Sequence, residues 1–391
     1  MSSQVYWHWP TFIMFICMGL LLVWAYNLER SKANTIGRKM RVFGASYLFV
    51  YFVFIIIGVF RLIDSYHGGT DTPGYIYKFL NIFNPIYAEG TDFVFKLINM
   101  AVRYFTSDYH IYLFVIYFIM LYSFVKFLNS YSLSWSSSVP LFLISYLYYV
   151  GFSSMRSNLA FCLLLIALAF YVRNQYKLAI VLTTCSCLTH ISLIMYAPVL
   201  LFCYTLKNFD IKLWHIAVAI IIAYGIGLFL QHSFIAGTFA FLDDVGSGAY
   251  ASYATKSLYR NSIIGFIVVN FPSIIMGITL MLFIEKIKNL IKQLAEYEAF
   301  IVKTLLMICI YDVLMVPITY SLGVYRGYMY LMVPRLLMWG IIFIVISRFF
   351  LIPKKLVNIV GFVVFLVWIY TRFEAMYESS QLMPYMINFE L

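Results

Sequence analysis

The sequence predicts an all-α protein threaded repeatedly through a lipid bilayer, a polytopic integral membrane protein with about 11–12 transmembrane or half-membrane helices. Three observations predict it. Of 391 residues, 63% are hydrophobic and 11% charged, whereas a soluble domain carries about 45–50% apolar and about 25% charged residues, so the excess needs lipid as its solvent. Apolar runs recur at the length that crosses a bilayer, about 17–25 residues. Basic side chains sit in the short gaps between those runs, so the net charge of +11 reads as loop anchoring and not as a groove for nucleic acid.

The runs, in order, are residues 11–26, 43–60, 110–129, 213–231, 263–283, 300–322 and 328–347, with shorter ones at 140–152, 158–171 and 356–370. No Lys or Arg precedes Thr11 and no small-residue cleavage site follows the first run, so that run is expected to stay as a helix and not to leave as a signal peptide. The gap 29–41 sets Arg30, Lys32, Arg38, Lys39 and Arg41 against Glu29. Excess Lys and Arg marks cytoplasmic loops, which puts both termini on the extracytoplasmic side.

On that assignment residues 61–108 and 232–260 are extracytoplasmic segments. The first carries Asp64, Asp71, Glu89, Asp92 and Asp108 but is too rich in Phe and Tyr for a free loop, and amphipathic helices resting on the outer leaflet are expected near 75–83 and 93–105. The basic gaps 285–298 and 348–355 return to the cytoplasm. The crossings between the first basic gap and residue 285 must therefore be even in number, and six runs already fill that interval, so residues 178–206 contribute none or two. We expect two short limbs meeting near His190, the second bent by Pro198, which lacks a backbone donor. No fixed-period repeat and no separable soluble domain is visible, so residues 1–391 are read as one membrane domain.

Cys17, Cys162, Cys185, Cys187, Cys203 and Cys309 all fall inside apolar runs and read as packing residues; Cys185 and Cys187 point to different sides of a helix and lack partner ligands, so no metal is expected. There is no P-loop, dinucleotide fingerprint or zinc-protease motif.

What remains polar within or beside the runs is the candidate site, because a charge in hydrocarbon costs several kcal/mol and persists mostly where it meets a cavity or a partner. Arg156 opens one run and His190 lies in the next, with a short basic turn, residues 173–177, between them; an antiparallel helix pair would bring the two together. Arg335 and Asp312 lie deep in their runs and are equally readable as a buried ion pair or as site residues. Arg61 and Arg326 stand at the expected outer surface, where guanidinium groups suit a diphosphate. Gly68-Gly69 before Thr70-Asp71 allows a tight turn close to a ligand or an ordinary one.

Arg61 followed by Gly68-Gly-Thr-Asp71 and Tyr75, Glu89 before Phe93 and Phe95, Arg156-Ser-Asn-Leu-Ala160, Leu188-Thr-His190 with Ser192, and Arg326 with Tyr330 together resemble the EpsG/Wzy-type polysaccharide polymerases of bacterial envelopes. The resemblance spans nearly the whole chain and rests on order and spacing. It implies a GT-C-like glycosyltransferase in the cytoplasmic (inner) membrane, its site facing the periplasm. Repeat-unit oligosaccharides on undecaprenyl diphosphate would be joined there, as for O-antigen, with no cofactor and with a chain-length regulator as a possible partner.

Diphosphate binding would fall to Arg61, Arg156, Arg326 and Arg335, and sugar contacts to Tyr75, Glu89, Asp312 and Tyr330. The base would be Asp71 or His190, with Asp71 preferred. A ligase moving finished chains to lipid A core, or a flippase of lipid-linked sugars, stand as alternatives.

Overall fold

A backbone in hydrocarbon finds no water to bond, so it closes its own hydrogen bonds as helix. The computed structural model describes residues 9–36, 40–64, 67–88, 91–131, 147–233, 263–321, 327–380, 382 and 385–387. Among the described residues the fold is helical, with one isolated bridge, between Arg61 and Ile387.

Helix α1 spans Trp9–Ile36 and α2 Ala45–Val59. Three short helices follow, α3 (Thr72–Leu80), α4 (Pro85–Ala88) and α5 (Phe93–Phe105), before α6 (Tyr109–Tyr131). Next come α7 (Met155–Tyr171), α8 (Tyr176–Thr189), a 3-10 turn at Ile191–Met195 and α9 (Val199–Thr205). The chain continues through α10 (Leu213–Ser233), α11 (Ile263–Lys292), α12 (Glu296–Ser321), α13 (Gly327–Tyr330), α14 (Met332–Phe349) and α15 (Lys354–Ser380). Among the described residues five helices, α1, α6, α10, α12 and α14, are long and apolar enough to cross a membrane, so the chain is a polytopic all-α membrane protein.

The expected helix at 93–105 coincides with α5, which buries Phe95 and Asn99 and exposes Phe93, Leu97, Tyr104 and Phe105. The one expected at 75–83 begins earlier, as α3, because Pro73 suits a first turn whose backbone N–H groups have no partner in the helix. Three ends are longer than the apolar runs indicate: α1 continues into the basic gap as far as Ile36, α11 runs through the next basic gap to Lys292, and α15 runs on to Ser380. Most of the run at 140–152 and nearly all of the segment 232–260 lie outside the described residues.

Residues 178–206 do form two limbs. Helix α8 rises to His190 and the 3-10 turn with α9 comes back, so that the Tyr204 ring lies 6.0 Å from Tyr176 at the start of the first limb. Pro198 stands at the N-cap of α9, where its missing donor costs no helix bond. The α7–α8 turn closes through Asn174 at φ 60°, and Gln175 N–H donates to the Phe170 carbonyl at 3.1 Å.

One end of the bundle is tied by the C-terminal segment. Tyr385 N–H donates to Thr11 Oγ1 at 2.9 Å, Leu62 N–H to the Met386 carbonyl at 2.8 Å, and the Tyr149 hydroxyl to the Leu382 carbonyl. The start of α1, the end of α2 and the approach to α7 therefore share a face. The basic gaps gather on the opposite face: burial, with Arg30 and Arg348 nearby, pushes the Lys354 ammonium down, and Lys288 reaches Asp210 at 2.8 Å.

Candidate functional site

The site is built where the α7–α8 hairpin opens. Ser186 Oγ donates to the Ala160 carbonyl at 2.6 Å and pins the two helices together, so the first turn of α7 and the last of α8 stand side by side. His190 caps α8 in an extended conformation, its N–H bonded to the Ser186 carbonyl at 3.1 Å and its carbonyl accepting from Leu193 N–H at 3.0 Å. The helix breaks with its backbone groups satisfied, and the imidazole is held at the break.

Across the hairpin lies Asp92. Its Oδ2 is 3.1 Å from Arg156 Nη1 and 3.7 Å from His190 Nδ1, and all three side chains are mostly shielded. Asp92 occupies the N-cap of α5, a position where the carboxylate ordinarily accepts the helix's own first N–H groups. Here it makes no capping bond; its charge goes to the arginine instead.

Helix α5 is held by α3 through Tyr75 and Phe95, whose rings meet edge-on at 5.7 Å, while Phe79 stacks on Tyr112 of α6 at 4.4 Å. Asp71, Tyr75 and Lys78 are spaced to share a face of α3. The Lys78 ammonium is pushed below its ordinary range by burial and by Arg156, and Asp92 opposes the shift. Lys78 is thus a second cation of the Arg156–Asp92 cluster.

Gly68 and Gly69 adopt φ of 85° and 104°; Gly68 lies against Leu62 and Ile63 and Gly69 against the turn before α7, where a Cβ would come within 2.8 Å of the Phe152 carbonyl. Thr72 Oγ1 donates to that same carbonyl at 2.6 Å. Arg61 fills the space below, donating to the carbonyls of Gly68 at 2.8 Å and of Gly58, to Thr72 Oγ1 at 3.2 Å and to the Phe152 carbonyl at 3.4 Å. Its guanidinium also lies over the rings of Tyr117 and Phe152, at 5.2 and 4.8 Å.

On another side of α7, Ser154, Ser157 and Asn158 line a small, partly open cleft with room for about one water, faced by Tyr330. The Tyr330 hydroxyl and Ser192 Oγ are 2.6 Å apart, which links the cleft wall to the residue two beyond His190.

Of the residues singled out in the sequence, the structure joins Arg156 and His190 through Asp92, places Tyr330 one hydrogen bond from that cluster's chain segment, and sets Asp71 at the N-cap of α3 with Tyr75 behind it. In place of a ring of four diphosphate arginines, one, Arg156, reaches the cluster among the described residues. Arg61 is buried and committed to backbone carbonyls and the Thr72 hydroxyl, and Arg335 is paired with Asp312 inside the bundle at 2.6 Å. Arg326 and Glu89 lie outside the described residues. Asp92 and Lys78 were missed. Asp92 was legible only as one of several acids in a loop, although its place directly before an amphipathic helix was a signal; nothing in the sequence singled out Lys78.

Among the described residues no group of three or more His, Cys, Asp and Glu side chains is arranged to hold a metal ion.

Fold and site together define a class: a polytopic membrane protein with a charged cluster at the mouth of a helix hairpin, next to amphipathic helices. The EpsG family, whose sequence pattern matches residues 45–387, gives the class its name, and the chain belongs to that family of polysaccharide-polymerase-type membrane proteins. No curated protein and no solved structure matches the chain.

Proposed function

We propose that this protein is a membrane glycosyltransferase that polymerises oligosaccharide repeat units carried on undecaprenyl diphosphate, at the outer face of the bacterial cytoplasmic membrane. The observation that carries the reading is the meeting of Arg156, Asp92 and His190 at one end of the α7–α8 hairpin, on the face away from the basic gaps. By the positive-inside bias that face is extracytoplasmic.

The chemistry follows from the groups present. Cleaving a sugar–diphosphate bond places charge on the leaving oxygen, and a preorganised guanidinium in a shielded site stabilises it. Arg156 supplies that donor, with the Lys78 ammonium beside it. The attacking hydroxyl must lose a proton, and of the two candidate bases His190 is the one within 3.7 Å of the cluster's carboxylate. Amphipathic α5, with Phe93, Leu97, Tyr104 and Phe105 exposed, would hold the site at the depth where a lipid-borne diphosphate lies.

The test is incubation of the reconstituted protein with lipid-linked repeat units. Longer lipid-linked glycans that vanish in Arg156→Ala support the proposal. Chains transferred to lipid A core would make it a ligase, and substrate moved across the bilayer without lengthening would make it a transporter.

A further inference from the structure

The turn that follows His190 is fastened from outside. Residues Ile191–Met195 form a 3-10 turn, whose hydrogen bonds have poorer geometry than those of an α-helix and which often marks a hinge. Inside it, Leu193 N–H donates to the His190 carbonyl at 3.0 Å, and the Tyr196 and Ala197 N–H groups donate to the Leu193 carbonyl at 2.9 and 3.0 Å. The carbonyl of Met195, at the end of the turn, accepts from the Tyr311 hydroxyl of α12 at 2.7 Å. Tyr196, the next residue, is fully buried and reaches the opposite way: its hydroxyl donates to the Gly327 carbonyl at the start of α13 at 2.7 Å and lies 3.2 Å from Thr319 Oγ1 of α12. The two tyrosine rings meet edge-on at 6.5 Å. Gly327 is part of this fit, since a Cβ there would collide with Thr319 Oγ1 and come within 2.9 Å of the Tyr196 hydroxyl. Broken backbone at membrane depth persists only where the surrounding protein supplies partners, and here they stand 116 and 131 residues further along the chain.

Resting on the polymerase reading, we propose that Tyr196 and Tyr311 are positioning residues for the glycosyl transfer: they clasp residues 191–196 to α12 and α13 and so hold the end of α8 against Asp92 and Arg156. The path is short. His190 is the residue directly before the turn and accepts the turn's first hydrogen bond, while its ring stands 3.7 Å from the carboxylate that Arg156 meets at 3.1 Å. A turn released from α12 shifts the backbone of His190 relative to α5 and α7. Misplacement of a reacting group by about 1 Å, caused by a change far from the chemistry, lowers a rate by up to about 100-fold. Loss of one tyrosine hydroxyl is therefore a small loss to the fold and a large one to turnover.

The experiment compares Tyr196→Phe, Tyr311→Phe and Tyr131→Phe in the full chain in proteoliposomes. Tyr131 is the matched control: its buried hydroxyl also donates to a carbonyl, that of Leu168 at 3.1 Å, but about 18 Å along α7 from Arg156 at about 1.5 Å per residue. Two quantities are read, amide hydrogen exchange across residues 191–197, and kcat and KM with lipid-linked repeat units. Tyr196→Phe and Tyr311→Phe are expected to speed exchange at residues 193, 196 and 197 about 10-fold while the α8 amides keep the wild-type rate. The same variants are expected to lower kcat on the order of 10-fold with KM within about 2-fold. Tyr131→Phe is expected to leave both quantities at the wild-type value. Unchanged exchange in the two clasp variants, or a fall in kcat no larger than that of Tyr131→Phe, overturns the proposal. Exchange needs no turnover, so the two readings fail separately. A wild type that lengthens no glycan refutes the polymerase, whereas normal lengthening with unchanged exchange in both variants refutes the clasp.

Discussion

Arg335 and Asp312 bond inside the bundle, Nε at 2.7 Å and Nη2 at 2.6 Å from the same Oδ2, with Asp312 0% and Arg335 3% exposed. A pair this deep is held by mutual need. Removing one partner strands a charge, at a cost of about 3–5 kcal/mol, whereas replacing both by apolar residues of similar volume is often neutral. Asp312→Ala is therefore expected to lower the thermal midpoint of the detergent-solubilised protein sharply, and Asp312→Leu with Arg335→Leu to recover most of it. A single variant as stable as the double one contradicts this.

The Arg61 clamp gives a second expectation. Lysine offers a point charge where arginine offers a planar fork, so Arg61→Lys cannot serve the Gly58, Gly68 and Phe152 carbonyls together. Gly69→Ala places a Cβ against the Phe152 carbonyl at 2.8 Å with φ of 104°, a backbone that costs a non-glycine residue about 1–3 kcal/mol. Both variants should lose folded protein, measured as monodisperse yield from membranes; yields matching the wild type would show that the clamp is dispensable.

These two sites show what the sequence could and could not reveal. The hairpin that joins Arg156 to His190 was legible because its turn is a short polar stretch between apolar runs, and the two-limb reading of 178–206 followed from counting crossings. The arginines were a different matter. Arg61, Arg156 and Arg335 look alike as cations in apolar sequence, and only neighbours distant along the chain separate a carbonyl clamp from an ion pair from an open site. Asp92 was hidden for the converse reason, since an acid before a helix is ordinarily a cap.

Lys78 supplies a pH expectation. Burial first, then Arg156, lowers its pKa from 10.5, so it carries more free amine at a given alkaline pH than an ordinary lysine. In competitive acylation its reactivity should rise with pH at a lower midpoint than that of exposed lysines. Arg156→Ala removes a cation that disfavours the ammonium and should move the midpoint up; Asp92→Asn removes an anion that favours it and should move it down. Shifts of the same sign in both variants would place Lys78 outside the cluster.

Tyr330 tests whether the cleft serves the same reaction. Its hydroxyl meets Ser192 Oγ at 2.6 Å, two residues past His190, and its ring faces Ser154, Ser157 and Asn158 across the cleft. Tyr330→Phe keeps the ring and removes one hydrogen bond, a change of about 0.5–1.5 kcal/mol, too small to unfold the bundle. If the acceptor's edge meets this cleft, the loss falls on binding, raising KM for the lipid-linked acceptor about 2- to 10-fold with kcat nearly unchanged. A fall in kcat at constant KM would assign Tyr330 to holding the His190 segment in place, and unchanged kinetics would remove the cleft from the reaction.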